Sequence, residues 1–97
     1  MRKGTTKNGF SYEFDESRLD DMRFVDVMAV IVSEDAADFD QIVAVSQLMT
    51  MLLGADQKKR LYDHIGKQYD GRVPLSVFKD CLEEIMSNPI KENELKN

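Results

Sequence analysis

The sequence contains no tryptophan, one cysteine (Cys81), one histidine (His64) and two prolines. Each shortage closes off a class of function. A single cysteine cannot form an internal disulfide, so nothing points to an oxidising compartment. One histidine and one cysteine are too few for a zinc centre. Cys81 falls inside an apolar helical pattern, where packing is the default and a Cys81–His64 nucleophile is not expected. No run approaches the ~18 apolar residues of a membrane helix. The basic N-terminus leads into Gly9-Phe10-Ser11-Tyr12-Glu13-Phe14-Asp15 rather than the apolar stretch of a secretory signal. No Gly-x-x-x-x-Gly-Lys or Gly-x-Gly-x-x-Gly loop offers a cradle for phosphates. The adjacent carboxylates Asp20-Asp21 and Glu83-Glu84 sit about 100° apart on a helix and cannot share a proton. The expectation is a soluble cytoplasmic chain that is not an enzyme and has no cofactor and no metal.

What is there is one domain's worth of chain: 97 residues, 42% hydrophobic and 32% charged, a globular composition. No internal repeat interrupts it. The formal net charge is −5, and it is unevenly placed. Residues 1–8 carry Arg2, Lys3 and Lys7 and no acid. Residues 9–40 carry ten acids against Arg18 and Arg23. The rest balances. An acidic front half repels phosphate backbones. The one basic cluster in the body, Lys58-Lys59-Arg60, points in three directions on a helix and makes no phosphate-reading stripe.

Apolar periodicity organises the chain. Residues 1–8 have none and read as a flexible basic arm. Phe10, Tyr12 and Phe14 alternate with Ser11 and Glu13, predicting a short strand with one apolar side. A lone strand leaves its ladder open, so it pairs elsewhere, for instance with another copy, or lies over the helices. Asp15-Glu16-Ser17 starts a first helix, with Ser17 and Asp20 approximating a capping box. That helix has two apolar stripes: Leu19, Met22, Val25, Ala29 and Val32, then Phe24, Val27, Met28 and Ile31. Between Phe24 and Val32 only Asp26 is polar. The β-branched content also allows a buried strand, but length and an acidic first turn favour a helix. A helix apolar on most sides is central in its bundle or partly an interface.

Asp38 and Gln41 predict the cap of a second helix, with Phe39, Ile42, Val43, Leu48, Met49, Leu52 and Leu53 as its core stripe. Gly54 marks its end. Asp56 caps a third helix, to about Gln68, with Leu61, Tyr62 and Ile65 inward. Tyr69-Asp70-Gly71-Arg72 is a turn, and Pro74 fits the first turn of a fourth helix, Leu75 to Met86, with Val77, Phe78, Cys81, Leu82 and Ile85 as its apolar face. The fold class expected is mainly α: a small four-helix domain with one short N-terminal β-strand. It spans residues 9–88, and residues 89–97 form a frayed polar tail.

Asp70-Gly71-Arg72-Val73 followed by Phe78 looks like the back half of a calcium-binding EF-hand. In that register the first ligand position is Gly66, the third Gln68 and the twelfth Val77. A calcium loop needs carboxylates at its first and last positions. The segment is better read as a helix–turn–helix corner. Five internal methionines, Met22, Met28, Met49, Met51 and Met86, suit either core gaps or an adaptable binding surface.

Taken in order, the strand Gly9-Phe10-Ser11-Tyr12-Glu13-Phe14, the acidic start Asp15-Glu16-Ser17-Arg18-Leu19-Asp20-Asp21, the helix end Leu52-Leu53-Gly54, the segment from Asp56 to Ile65, the corner Asp70-Gly71-Arg72-Val73-Pro74 and the ending Leu82-Glu83-Glu84-Ile85 resemble the tail assembly chaperones of long-tailed bacteriophages and prophages. The resemblance covers about residues 9–86. It implies a non-enzymatic chaperone that binds and solubilises the helical tape-measure protein before tail-tube polymerisation, in the cytoplasm of the bacterial host. It also implies self-association into a homo-oligomer, and a longer frameshifted form that meets the tail-tube protein; Lys96-Asn97 is compatible with the slippery heptamer A-AAA-AAC.

A holder of helices needs an apolar groove read by i, i+3, i+4 anchors. The contact residues expected are Met28, Ile31, Met51 and Tyr69. Neither nucleic acid nor a membrane is an expected partner. The rival reading is a small regulatory helical domain that contacts nucleic acid through its third helix, with Lys58, Lys59, Arg60, Lys67 and Arg72. Another is a generic protein-binding adaptor.

Overall fold

The computed structural model describes residues 1–87; the expected polar tail, 89–97, lies outside them. The fold is mostly helical, with a two-stranded antiparallel sheet at the N-terminus. Strand β1 is Arg2–Thr5 and β2 is Ser11–Phe14. Helix α1 is Met22–Val32, α2 is Asp38–Gln68 and α3 is Leu75–Met86. A 3-10 turn, Glu16–Leu19, leads into α1.

Residues 2–5, within the stretch expected as an arm, form the strand that completes β2's ladder, with Arg2 opposite Phe14 and Thr5 opposite Ser11. Asn8-Gly9, a strong hairpin signal, turns the chain between them. Gly9 takes φ +91°, a conformation open mainly to glycine. Thr6 N–H bonds Phe10 O at 2.9 Å and Phe10 N–H bonds Thr6 Oγ1 at 3.1 Å. The turn is pinned to the helices. His64 Nε2 and Gln68 Nε2 reach Asn8 O at 2.7 and 3.1 Å. A carbonyl can only accept, so Nε2 of His64 carries its proton. Lys7 N–H donates to Glu84 of α3 at 2.8 Å. The alternation in β2 resolves as expected: Phe10, Tyr12 and Phe14 are all buried in the core.

The caps differ from those the sequence predicts. Asp15 caps the 3-10 turn through Ser17 N–H, and Asp21 caps α1 through Arg23 N–H at 2.8 Å. Asp38 is the first residue of α2 rather than its cap. Gln41 instead reaches back to Ser33 O at 2.7 Å, closing the α1–α2 connection. Pro74 is the N-cap of α3.

The second and third expected helices are the two limbs of α2, joined at Gly54. That residue has φ +81° and ψ 165°, a non-helical break inside an otherwise continuous helix. The carbonyls around the break find side-chain partners. Arg18 Nη1 donates to Met51 O and Leu52 O at 3.1 and 3.3 Å. Gln57 Nε2 donates to Leu53 O at 2.9 Å and to Glu13 O, while Glu13 N–H donates back to Gln57 Oε1 at 2.9 Å. One glutamine amide thus ties β2 to the kink, satisfying groups that would otherwise be orphaned.

The core runs along α2. Leu48, Met49, Leu52, Leu61 and Ile65 from both limbs meet Phe24 of α1, the hairpin aromatics, and Phe78, Leu82 and Ile85 of α3. Cys81 is buried among them. The corner before α3 closes with Gly71 N–H to Gly66 O at 2.7 Å, with Asp70 at φ +55° and Gly71 at φ +85°.

Candidate docking surface

Leu48, Met49, Leu52 and Leu53 of the predicted α2 stripe are buried, and the stripe departs from the prediction only at the start of the helix. Ala44 and Val45 are buried, whereas Phe39 is 72% exposed and Ile42 and Val43 also reach solvent. Two adjoining hollows open beside these residues. The larger, about 510 Å³, is lined by Ile42, Val45, Tyr62, Val73, Leu75 and Phe78, with Ser46 at its edge. The smaller, about 280 Å³, is lined by Ile31, Gln41, Ile42, Val45 and Leu75, with Asp38 and Lys79 as its charged residues. They share Ile42, Val45 and Leu75, so together they form one trough between the start of α2 and the start of α3. Val45 and Phe78 are its buried floor, and Ile42, Tyr62 and Leu75 are its exposed walls. Tyr62 leans on Phe78 with ring centroids 5.5 Å apart.

The trough has few polar groups and a handful of exposed side chains of helix-docking size. Covering the exposed part of Ile42 or Leu75, a little under half of each side chain, contributes about 1 kcal/mol. A protein helix fits this surface better than a polar metabolite does.

The expected contact residues divide. Ile31 lines the trough. Met28 and Met51 are half-buried and pack against the core. Tyr69 is exposed at the C-terminal cap of α2. Ile31 is the one of the four that lines the trough. Phe39, Ile42 and Leu75 stand on or beside one surface. The sequence pattern places Phe39 and Ile42 in the core, because a period of 3.6 marks an apolar stripe without saying which edge of it a neighbour covers.

Of the basic residues of the second α2 limb, Arg60 and Lys67 line one hollow together with Asp63 and His64, whereas Lys58 stands apart. Lys58 Nζ donates to Ser46 Oγ and Thr50 Oγ1 at 2.7 and 2.9 Å and lies over Tyr62. Arg60 lies over Phe10 on the hairpin side. The two do not share a stripe. Burial, with Glu84 nearby, pushes the Cys81 thiol up to about 11, so little thiolate exists at neutral pH. Its Sγ and the His64 ring both approach Asn8, from Oδ1 and from the backbone O respectively. Hydrogen bonds from Ser17 hold the Asp15 carboxyl below the usual range, and Arg23 does the same for Asp21. Both are caps. Among the described residues no group of three or more His, Cys, Asp and Glu is placed to hold a metal ion, and no helix is long and apolar enough to cross a membrane.

No family model matches the chain, and no curated protein or solved structure shows significant similarity to it.

Proposed function

We propose that this chain is a non-enzymatic holder of a helical client protein, acting as a phage or prophage tail assembly chaperone whose client is the tape-measure protein. The observation that supports this reading is the open trough. Its floor is well packed, yet its walls leave Ile42, Tyr62 and Leu75 in water beside an exposed Phe39. A surface of that kind grips a few i, i+3, i+4 anchors of an amphipathic helix. It is shallow, so a client docked there is released when polymerising tail-tube subunits compete for it. The acidic front half keeps a loaded complex soluble in the host cytoplasm.

Co-expression with the large helical protein encoded just downstream tests the reading. The expected outcome is that the large protein becomes soluble and co-purifies. Ile42→Asp and Leu75→Asp, both at exposed positions, should abolish this while leaving the fold intact by circular dichroism. A large protein that stays insoluble beside well-folded chain, or the lack of such a gene, removes the chaperone reading.

A further inference from the structure

Helix α1 has a second apolar face that the trough does not use. Phe24, Val27, Met28 and Ile31 pack inward. Met22, Val25, Ala29 and Val32 face water, with Met22 69% and Val32 70% exposed. Their spacing, three, four and three residues, forms a continuous seam along the helix.

The charges around the seam decide what fits it. Asp20 and Asp21 precede it, Asp26 lies one turn from both Met22 and Ala29, and Glu34 and Asp35 follow it. The two arginines of this region are engaged: Arg18 with the carbonyls at the α2 kink, Arg23 with Asp21 at 2.9 Å. The last turn of α1 has no basic residue of its own, so its C-terminal partial negative charge adds to that of Glu34 and Asp35. Two copies packed through this seam would bring their acidic borders together, and like charges across an interface oppose association. A lipid surface is also a poor match, because helices that lie in a membrane interface carry Lys and Arg on the polar side.

We propose that the outer face of α1 is a docking site for an amphipathic helix of a second protein whose apolar seam is flanked by Lys or Arg. This site is separate from the trough and does not depend on the chaperone reading.

The test uses the full chain and two labelled synthetic helical peptides with the same Leu seam at i, i+3, i+4 and i+7. One is flanked by Lys, the other by Glu. Fluorescence anisotropy is read at low and high salt. The Lys-flanked peptide should bind at least about tenfold more tightly than the Glu-flanked one. Its affinity should fall by about tenfold on raising salt from 0.05 to 0.5 M, as the Debye length shortens. The double variant Val25→Ser/Val32→Ser should lose the preference for the Lys-flanked peptide and its salt dependence, keeping only what the trough binds, and Asp26→Asn/Glu34→Gln should weaken that preference severalfold, each with an unchanged circular dichroism spectrum. Ile42→Asp/Leu75→Asp, which removes the trough's walls, should keep the preference in full. Equal binding of the two peptides, or loss of the preference only in the trough variant, overturns the proposal. So does a dimer in sedimentation that Val25→Ser/Val32→Ser dissolves, which would assign the face to a second copy. Vesicle binding lost in the same variant would assign it to lipid and overturn the proposal equally.

Discussion

Helices α1 and α3 are nearly equal in length and differ in what they leave outside. In α3, Phe78, Cys81, Leu82 and Ile85 are buried while Ser76, Lys79, Asp80 and Glu83 face solvent. Folding accounts for that division: one apolar stripe is removed from water and the polar side stays in it. In α1 the inner face is apolar, and so is most of the outer one. Apolar surface left in water adds nothing to stability, so the outer residues of α1 are not explained by folding. The contrast separates a helix whose apolar residues, apart from Leu75 at the trough, are accounted for by the core from one with a whole face left over, which is where a further interaction is to be sought.

The largest effects should come from the faces that the two helices share with the core. Ile85→Ala in α3 and Phe24→Ala in α1 should each cost about 2–5 kcal/mol by denaturant unfolding, as buried large-to-small changes do. If Phe24→Ala costs far less than Ile85→Ala, α1 is more loosely held than α3 and the comparison must be redrawn. Next is Gly54→Ala. The φ of +81° with ψ 165° is a conformation that L residues rarely adopt, and the expected loss is about 1–3 kcal/mol. A neutral result would mean that the kink is not fixed. Arg18→Ala should cost about 1 kcal/mol, because the Met51 and Leu52 carbonyls lose their donor. Arg18 lies just ahead of α1, so hydrogen exchange should quicken there and at the kink more than in α3.

A smaller effect should appear at high pH. The folded thiol of Cys81 holds its proton to about 11, against an ordinary value of 9.0. Between those values the unfolded chain releases a proton that the folded chain keeps. Stability contributed by the neutral thiol is therefore full below pH 9 and declines as pH rises towards 11. Comparing the pH dependence of unfolding in the parent and Cys81→Ala isolates this from lysine and tyrosine titration; superimposable slopes would refute it. The smallest effect completes the contrast. Met22→Ser and Val25→Ser, on the outer face of α1, should change stability by no more than about 0.5 kcal/mol. A loss above about 1 kcal/mol at either site would show that the outer face already serves the fold.

Much of the architecture was legible in the residues. The burial of Phe10, Tyr12 and Phe14, the break at Gly54, the corner at Asp70-Gly71 and the limits of α3 follow from alternation, glycine chemistry and proline placement. The pairing of residues 2–5 was not read from the pattern, because Arg2-Lys3-Gly4-Thr5 lacks apolar periodicity; the Asn8-Gly9 turn was the signal that would have found it. Of the expected contact residues, Ile31 lines the trough, but Phe39, Ile42 and Leu75 were missed as surface groups. Their apolar character reads the same whether a neighbour covers them or not.

The sequence by itself determined that this is a small, acidic, mainly helical protein with one His, one Cys and a strand of alternating aromatics. Those properties depend on residue type and on spacing along one chain. Only the tertiary structure decided which partner β2 takes, how the start of α2 turns its face, and which of two apolar sides of α1 meets the core. Each of those depends on what lies across a contact between segments far apart in the chain, and local periodicity carries no record of the neighbour.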